Sequence, residues 1–425
     1  MNHRLLVLLV VVSCSVVSAA EWTRFRGPNG DAKVGGGPLP TMWAAGKNVA
    51  WKSKMPGPGT SCPLVVGEKV YVTCYTGYGL AAGQGDQKDL KRHLLCLKRS
   101  TGEVLWQKDF EPKLPEHKYG GEGSYHGYAA STPATDGQHL YVFFGKSGVY
   151  CFDLDGKQVW HSDVGGGTSG WGSGCSPVLF KNTVIINASV ESGSLVALDR
   201  RSGQQVWKAG GIGSSWNTPV LAGVPGGGSE LVVSVQGRVL GLDPTSGQSL
   251  WNANGVHRYV CPSVVSQAGV AYVIGGGHTS LAVKVGGRGD VTKSHGVWRV
   301  NKGSNVSSPI FHKGHLYWAG DSNGTVYCQD ARTGKFVYQK RLEPRPGRIW
   351  SSPILGDGKL YYTSQHNGTF VVAARPGFKL VAHNVFADDK TRTNASPVPS
   401  RGQLLFRSDQ AVYLLGEGSV SAAGR

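Results

Sequence analysis

Aromatic, cationic and amide side chains stand just before most members of a series of regularly spaced prolines. Trp and Tyr rings can stack on a ligand, while Arg and Asn side chains offer several hydrogen-bond donors. Together they suit a pocket for an anionic or sugar-like ligand. The alternative is that they fill the pocket and hydrogen-bond each other. The candidates are Tyr128, Trp171, Trp216, Asn217, Arg258, Tyr259, Asn305, Arg348, Trp350, Arg392 and Asn394.

The prolines mark a repeat that must position these side chains. Its period is about 44 residues, with a longer first interval. Such a period is too long for a helix or strand repeat and matches a four-stranded propeller blade of about 40–50 residues. The prolines are Pro63, Pro133, Pro177, Pro219, Pro262, Pro309, Pro353 and Pro397.

The second repeat illustrates the predicted blade. Residues 131–134 predict a short innermost strand, and residues 139–143, 148–153 and 157–160 predict three further strands rich in aromatic and β-branched residues. Asp136-Gly137 and Asp155-Gly156 separate them, and Asp-Gly is a favoured hairpin turn. The repeat therefore predicts an antiparallel sheet with the proline next to the channel.

A second signature, Gly-x-x-x-Trp, lies at the outer edge of most repeats. An indole there can lie flat on a glycine of the neighbouring blade, because only a residue without Cβ allows that close approach. We therefore expect these rings to dock blade on blade rather than to stack on a ligand. The predicted docking residues are Trp51, Trp106, Trp160, Trp207, Trp251, Trp298 and Tyr338.

Residues 198–207 (LDRRSGQQVW) and 242–251 (LDPTSGQSLW) resemble the tryptophan-docking motif of PQQ-like propeller repeats. This repeat family includes quinoprotein alcohol dehydrogenases and BamB-like outer-membrane assembly proteins. The resemblance extends over roughly residues 48–415. It implies a fold, but the same fold carries both enzymes and scaffolds.

The ends of the repeat region predict how the ring closes. The eighth repeat stops near residue 415 without an outer strand, while residues 48–52 form an outer-strand sequence with no inner strands before it. Joining the two removes the free sheet edges of an open ring. We therefore predict an all-β, eight-bladed β-propeller over residues 48–415, closed by an N-terminal outer strand. Residues 21–47 would pack outside it or cap one face, and residues 416–425 would form a flexible tail.

The first repeat is longer than the others because of two insertions. One extends from Tyr75 to Arg92, and the other, from Phe110 to Tyr128, contains His117 and His126. Long loops on a rigid scaffold commonly carry function. We expect these two loops to contribute to a binding surface.

Residues 1–20 have the features of an export signal. Arg4 precedes a short apolar run, and Ser18-Ala19-Ala20 suits cleavage. The run is too short to span a membrane. We therefore expect an exported protein without a transmembrane helix, periplasmic or associated with the cell envelope. Lipidation of Cys14 is the alternative, since Val11-Val12-Ser13-Cys14 resembles a lipoprotein box.

Charge and cysteine usage restrict the partners. The formal charge of +17 favours an acidic polysaccharide, an anionic lipid or an acidic protein surface, and an exported protein rarely meets nucleic acid. A basic protein without a charged partner is the alternative. The sequence contains no Cys-x-x-Cys, so we expect its cysteines to fill the core rather than to bind a metal. We expect a monomer.

The resemblance to quinoprotein dehydrogenases implies PQQ and calcium, but the candidate positions contain Asn217, Asn305 and Asn394 and no carboxylate. The vicinal cysteine pair common in those enzymes is also missing. We therefore predict no catalytic residue, no metal and no cofactor, and a non-enzymatic scaffold that binds an envelope protein or acidic polymer. One alternative is a quinone-dependent dehydrogenase, which needs an Asp or Glu beside a stacking Trp. The other is a sugar-processing enzyme with two facing carboxylates about 5–9 Å apart.

Overall fold

The structure is a computed structural model that describes residues 22–258, 260–276 and 278–416, with only the main chain of Glu122. The predicted signal peptide with its Cys14 alternative, the candidate Tyr259, and all but the first residue of the predicted tail lie outside the described residues. No helix in the described part of the chain is long and apolar enough to cross a bilayer.

Eight antiparallel sheets follow one another in chain order around a central channel, which confirms the predicted eight-bladed β-propeller. Blades 1 to 8 are numbered along the chain. Each begins with a short strand at the channel, which starts directly after the repeat proline except in blade 5, where Ser263 and Val264 lie between Pro262 and the strand. Later strands lie farther out. Blade 4 has a fifth strand, Gly289–Asp290, which pairs in parallel with its outer strand.

The strand bounds in blades 1 to 4, from the channel outward, are as follows. They are Leu64–Val66, Lys69–Thr76, Lys91–Lys98 and Val104–Phe110 in blade 1; Ala134–Thr135, His139–Phe143, Val149–Asp153 and Gln158–Ser162 in blade 2; Val178–Phe180, Thr183–Ala188, Ser194–Asp199 and Gln205–Gly210 in blade 3; and Val220–Gly223, Ser229–Val235, Arg238–Leu242, Ser249–Asn254 and Gly289–Asp290 in blade 4.

Blades 5 to 8 continue the same order. Their strands are Val265–Gln267, Val270–Gly275, Thr279–Lys284 and Gly296–Val300 in blade 5; Ile310–His312, His315–Ala319, Thr325–Asp330 and Phe336–Arg341 in blade 6; Ile354–Gly356, Lys359–Thr363, Thr369–Ala373 and Leu380–Asn384 in blade 7; and Val398–Ser400, Gln403–Arg407, Ala411–Leu415 and Val49–Lys54 in blade 8. Short helical turns are Gln87–Asp89, Gly121–Tyr125, Gly145–Ser147, Ser189–Ser192 and Thr292–His295.

Closure occurs in blade 8, as the sequence predicts. The N-terminal strand Val49–Lys54 pairs antiparallel with Ala411–Leu415, and Trp51 lies opposite Leu414. A register shift lies between Val49 and Trp51, and the indole of Trp51 is buried. The first and last parts of the propeller thus share one sheet, so the ring has no open end between them.

The docking ring on the outer strand explains why the third strand of the repeat carries a small residue opposite it. In every blade a β-bulge interrupts the pairing of the third and outer strands next to the docking position, and in blades 1 to 6 a small residue there faces the docking ring. A Cβ on Gly241 would lie 2.1 Å from Trp251. Cys96, Cys151 and Cys328 fill this position in three blades, and all cysteines in the described part of the chain are free thiols.

At five junctions an indole of one blade covers a glycine of the next. A Cβ on any of these glycines would lie 2.5–3.1 Å from the indole, and each glycine has a positive φ. Four of the indole N–H groups also donate to the main-chain carbonyl three residues before that glycine, at 2.8–3.2 Å. The pairs are Trp51–Gly102, Trp106–Gly156, Trp160–Gly203, Trp207–Gly247 and Trp298–Gly334.

Trp251 and Tyr338 make different contacts. The Trp251 N–H donates to the buried carboxylate of Glu230 at 2.7 Å, and the added strand Gly289–Asp290 covers this edge of blade 4. The ring of Tyr338 meets the edge of Phe378 in blade 7, with 5.7 Å between centroids. Both side chains therefore lie at a blade edge but pack without the glycine.

Candidate functional site

A ring of side chains joins the eight blades around the channel. Each member is buried and adjoins the repeat proline, directly before it in seven blades and directly after it in blade 5, where Ser263 follows Pro262. From blade 1 to blade 7 the N–H of each member donates to the side-chain oxygen of the next blade's member at 2.9–3.1 Å. This hydroxyl ring consists of Cys62, Thr132, Ser176, Thr218, Ser263, Ser308, Ser352 and Ser396.

Cys62 is the one thiol in the hydroxyl ring. Burial raises its pKa, and hydrogen bonds from Ser396 and Thr132 oppose that rise. These contacts complete the ring between blades 8 and 1. The sequence signal was a small residue next to each proline, but the repeat alone did not reveal that these residues bond to one another, nor that in blade 5 the member is Ser263, after Pro262, and not Cys261.

The hydroxyl ring forms the wall of a cup of about 330 Å³ at one mouth of the channel. Phe25, from the N-terminal segment, lies on the floor, and the rim carries residues that precede the hydroxyl ring in sequence. Six of the eleven sequence candidates line the cup, namely Trp171, Trp216, Asn305, Arg348, Trp350 and Asn394.

The rim holds aromatic rings and a cation close together. The rings of Trp171 and Trp216 are 5.2 Å apart between centroids. Across the mouth, the Arg348 guanidinium lies 4.5 Å from the centroid of Tyr125 and 5.9 Å from that of Trp350. Arg348 is exposed and forms no salt bridge within the described residues. This group is thus available to an anion that enters the mouth.

Four other candidates lie outside the cup. Tyr128 is buried under the second insertion, where its hydroxyl donates to the carbonyl of His117 at 2.8 Å. Asn217 is buried in the wall and donates to the carbonyls of Ser234 and Val260, at 2.6 and 3.2 Å. Arg258 is exposed and forms a β-bridge with Gly276.

Arg392 holds the second insertion in place. Its Nε pairs with Asp409 at 3.1 Å, and its Nη1 donates to the carbonyl of Ser124 at 2.8 Å. Asn394 donates to the carbonyl of Tyr125 at 2.5 Å. Because these bonds run from blade 8 to a loop of blade 1, the helical turn Gly121–Tyr125 extends over the mouth beside the cup.

The same insertion contains two imidazoles in poorly solvated sites. Burial lowers the pKa of His117 to about 3, and the nearby His126 contributes to that shift. Burial also lowers the pKa of His126 to about 4. The Nε2 of His117 and the Nδ1 of His126 are buried without a hydrogen-bond partner, so both rings are neutral at pH 7.

Two residues of the cup, Phe25 and Asp321, were missed in the sequence, and His126 was noted only as part of the second insertion. Phe25 belongs to a segment far from the repeats, and His126 lies in that insertion without a recognisable spacing. Asp321 lies in an Asp-Ser-Asn-Gly stretch that is typical of a turn, and in the structure it lines the cup and accepts hydrogen bonds from the N–H and Nδ2 of Asn305 at 3.4 and 3.0 Å.

The donor set of the cup does not fit the calcium that accompanies PQQ in related dehydrogenases. Calcium takes six to eight oxygen ligands. Among the described residues that line the cup, Asp321 is the one carboxylate, and both of its oxygens accept bonds from Asn305. The Oδ1 of Asn394 accepts a bond from Gln365. Nor does any group of three or more His, Cys, Asp or Glu in the described chain come close enough to hold a metal.

Sequence and structure comparisons agree on the kind of propeller. A curated outer membrane protein assembly factor BamB from Burkholderia pseudomallei (strain K96243) is 28% identical in an alignment of 178 residues that covers 39% of this chain and 37% of that protein. The match therefore spans little more than a third of that relative's length. A family model described as outer membrane protein assembly factor BamB matches residues 48–210, 191–285 and 236–422.

Two solved structures share the fold at low identity. BamB from Moraxella catarrhalis has a TM-score of 0.59 at 11% identity and covers 86% of this chain and 98% of its own. Quinohemoprotein alcohol dehydrogenase from Comamonas testosteroni has a TM-score of 0.62 at 12% identity, and the match covers 96% of this chain and 82% of that enzyme's chain. Because the family model matches nearly the whole propeller, the chain belongs to the BamB family of PQQ-like propellers.

Proposed function

We propose that this protein is an exported, non-enzymatic propeller that binds an envelope protein or an acidic polymer at its channel mouth. The observation that carries the proposal is the cup, whose rim presents Trp171, Trp216 and Arg348 on a closed and rigid ring. Rigid rings with exposed aromatic and Arg groups are typical of binding surfaces, where such residues dominate affinity.

The charge of the chain supports a partner with acidic groups. The formal net charge is +17, and long-range attraction would raise the association rate with an acidic protein or polymer. Family membership supports a protein partner, since the name of the curated relative describes an outer-membrane assembly factor.

A site-specific crosslinking experiment tests the location of the partner. A photo-crosslinking residue replaces exposed Lys118, in the insertion beside the cup, or exposed Arg332, at the opposite end of blade 6. In the native organism we expect a crosslinked envelope protein or polymer from position 118 and none from position 332. Equal crosslinking from both positions, or none from position 118, would contradict a partner at the mouth.

Export is tested on the same cells. Fractionation should place the protein in the periplasm or envelope, and the mass of the purified chain should correspond to an N-terminus at Glu21 or to a lipidated Cys14. A cytoplasmic protein that retains residues 1–20 would contradict export.

A quinone-dependent dehydrogenase is the second candidate. The observation that favours it is Asp321, which lines the cup together with Trp350 and therefore supplies a carboxylate beside a possible stacking ring. The test is an absorption spectrum and native mass of the mature protein before and after addition of PQQ with calcium. We expect no change. A quinone band with a matching mass increase would favour the dehydrogenase.

A further inference from the structure

The N-terminal segment closes the channel at the end opposite the mouth. The carbonyls of Trp22 and Thr23 accept bonds from the N–H groups of Val65 and Thr135 at 3.2 and 2.9 Å, and on the far side Lys33 pairs with Leu355. Phe25 lies between these anchors on the cup floor. A ligand must therefore enter and leave through the mouth, and a polymer cannot thread through.

The size of the cup limits what can enter. Its volume of about 330 Å³ is near the lower end of the range for small-molecule sites. A single ring with its substituents fits such a space. The ligand is then either a free small molecule or the terminal unit of a chain.

Five hydroxyls of the cup wall have donor capacity left. Each accepts a bond from a backbone N–H of the preceding blade, and no bond donated by these five hydroxyls is found within the described residues. A hydroxyl has one donor in addition to its two lone pairs. The wall therefore offers a band of O–H donors to a ligand with many oxygen atoms. These hydroxyls belong to Ser176, Thr218, Ser263, Ser308 and Ser352.

The rim adds three complementary groups. The pair Trp171 and Trp216 offers apolar ring faces inclined at 41° to each other, and Arg348 offers a cation. Asp321 offers the carboxylate lone pairs that its two bonds from Asn305 leave unused. A simple anion would be repelled by Asp321, while a neutral sugar would leave the Arg348 cation without a counter-charge. A ligand that uses all three groups has an apolar ring face, hydroxyl groups and one carboxylate.

We propose that the cup binds a sugar acid. Its carboxylate pairs with Arg348, its ring face packs against an indole of the Trp171–Trp216 pair, and its hydroxyls bond to Asp321 and to the hydroxyl ring. This assignment rests on the proposed function, in which the mouth is the binding face, and it specifies the chemistry that the mouth recognises.

Titration of the mature protein with monosaccharides tests the assignment. D-galacturonate and D-glucuronate are compared with D-galactose and D-glucose, and acetate supplies a carboxylate without a ring. We expect at least one acid to bind about tenfold tighter than its neutral sugar, with a change in Trp fluorescence and no competition by equimolar acetate. Equal binding of acid and neutral sugar would overturn the proposal, as would a Kd weaker than about 10 mM for both acids.

Two variants test whether Arg348 binds the carboxylate of the sugar acid. Arg348→Gln should lower the affinity for the acid about tenfold and leave the neutral sugar unaffected. Arg332→Gln removes the same charge from the opposite end of blade 6 and should change neither affinity. Circular dichroism confirms that both variants fold. An unchanged affinity for the acid in the folded Arg348→Gln variant would overturn the placement of the carboxylate.

Two comparisons separate the possible outcomes. A trimer of galacturonate that binds tighter than the monomer indicates that the cup receives a chain end, whereas equal affinity indicates a free sugar acid. If acids bind but nothing crosslinks from position 118, the sugar-acid site stands and the proposed partner fails. Crosslinking without any binding of acids overturns the sugar-acid site alone.

Discussion

On the outside of the ring one contact is repeated, with an indole of one blade on a glycine of the next at five junctions. At the channel mouth, equivalent positions supply different residues, such as Trp216 in blade 4, Val306 in blade 6 and Trp350 in blade 7. Each outer contact must solve the same packing problem, so its residues are the same. Rim residues face a ligand or solvent and are free to differ, which is why the irregular region is where function is expected.

The junction between blades 4 and 5 is an exception among the outer contacts, because hydrogen bonds to a carboxylate replace the indole–glycine contact there. Trp251 covers no glycine of the next blade and instead donates to Glu230, which also accepts the N–H of Gly286 at 3.0 Å and a bond from Arg288 at 3.3 Å. A buried carboxylate with several donors replaces the close approach of ring and glycine. Loss of the repeat at this position therefore does not mean loss of the contact.

The largest expected effect comes from breaking a regular junction. In Gly247→Ala the new Cβ would lie 2.5 Å from Trp207, at a residue whose φ is +73°. Overpacking and the positive φ together should lower the free energy of unfolding by roughly 3–4 kcal/mol, measured by chemical denaturation.

Gly137→Ala is the matched control. Gly137 has a φ of +88° but no heavy atom within 4 Å of the new Cβ, so only the backbone strain of about 1–2 kcal/mol applies. Equal losses in the two variants would mean that the indole contact adds nothing to stability.

The next largest effect tests the irregular junction. Glu230→Ala leaves the buried N–H of Trp251 without an acceptor and also removes the acceptor of the Gly286 N–H, and we expect a loss of about 2–3 kcal/mol in the free energy of unfolding. Glu68→Ala removes the exposed ion pair with Arg401 and should cost at most about 1 kcal/mol. If Glu230→Ala lowers the free energy of unfolding no more than Glu68→Ala does, then packing alone holds Trp251 in place.

The sequence predicted the regular region well because one local pattern repeats. Eight blades and their closure by Val49–Lys54 follow from repeated prolines and from one missing outer strand. It predicted the mouth less well, because neighbouring residues of an extended chain point to opposite sides. Trp216 lines the cup while Asn217 turns into the wall. The position two residues before the hydroxyl ring lines the cup in every blade, but its residue types range from Ala130 and Gly174 to Trp216 and Trp350, so the types alone did not reveal it.

Contacts between distant parts of the chain were out of reach for a similar reason. Phe25 reaches the cup floor only because the N-terminal segment crosses the channel, and Tyr125 reaches Arg348 only because an insertion of blade 1 extends toward blade 7. Both are set by tertiary packing of segments without a repeat. The signal for Asp321 was present, but a turn explained it equally well.

The insertion at the mouth should be the part most sensitive to acid. Burial holds His117 neutral with its pKa lowered to about 3, so between that value and about pH 6.5 the unfolded chain binds more protons than the folded one. The stability that the neutral ring contributes is present above pH 6.5 and is lost as the pH falls toward the folded value. Arg92 and His126 add to the shift.

His117→Phe tests this contribution because it retains an aromatic ring and removes the titrating group. Between pH 7 and pH 5 the free energy of unfolding of the wild type should fall by about 2 kcal/mol more than that of the variant. His366→Phe, which changes an exposed imidazole, should reproduce the loss of the wild type. Identical pH profiles for His117→Phe and wild type would mean that this imidazole is solvated in solution.

The smallest effect distinguishes two members of the regular set. The Trp160 N–H donates to the carbonyl of Arg200 at 2.9 Å, whereas the Trp106 N–H is buried without a partner. Replacing either indole by Phe removes a similar volume from a similar contact, but only Trp160→Phe also breaks a hydrogen bond. We therefore expect Trp160→Phe to lose about 1 kcal/mol more than Trp106→Phe in the free energy of unfolding. Equal losses would mean that the Trp106 N–H has an acceptor in solution. The junction between blades 1 and 2 would then be as regular as the junction between blades 2 and 3.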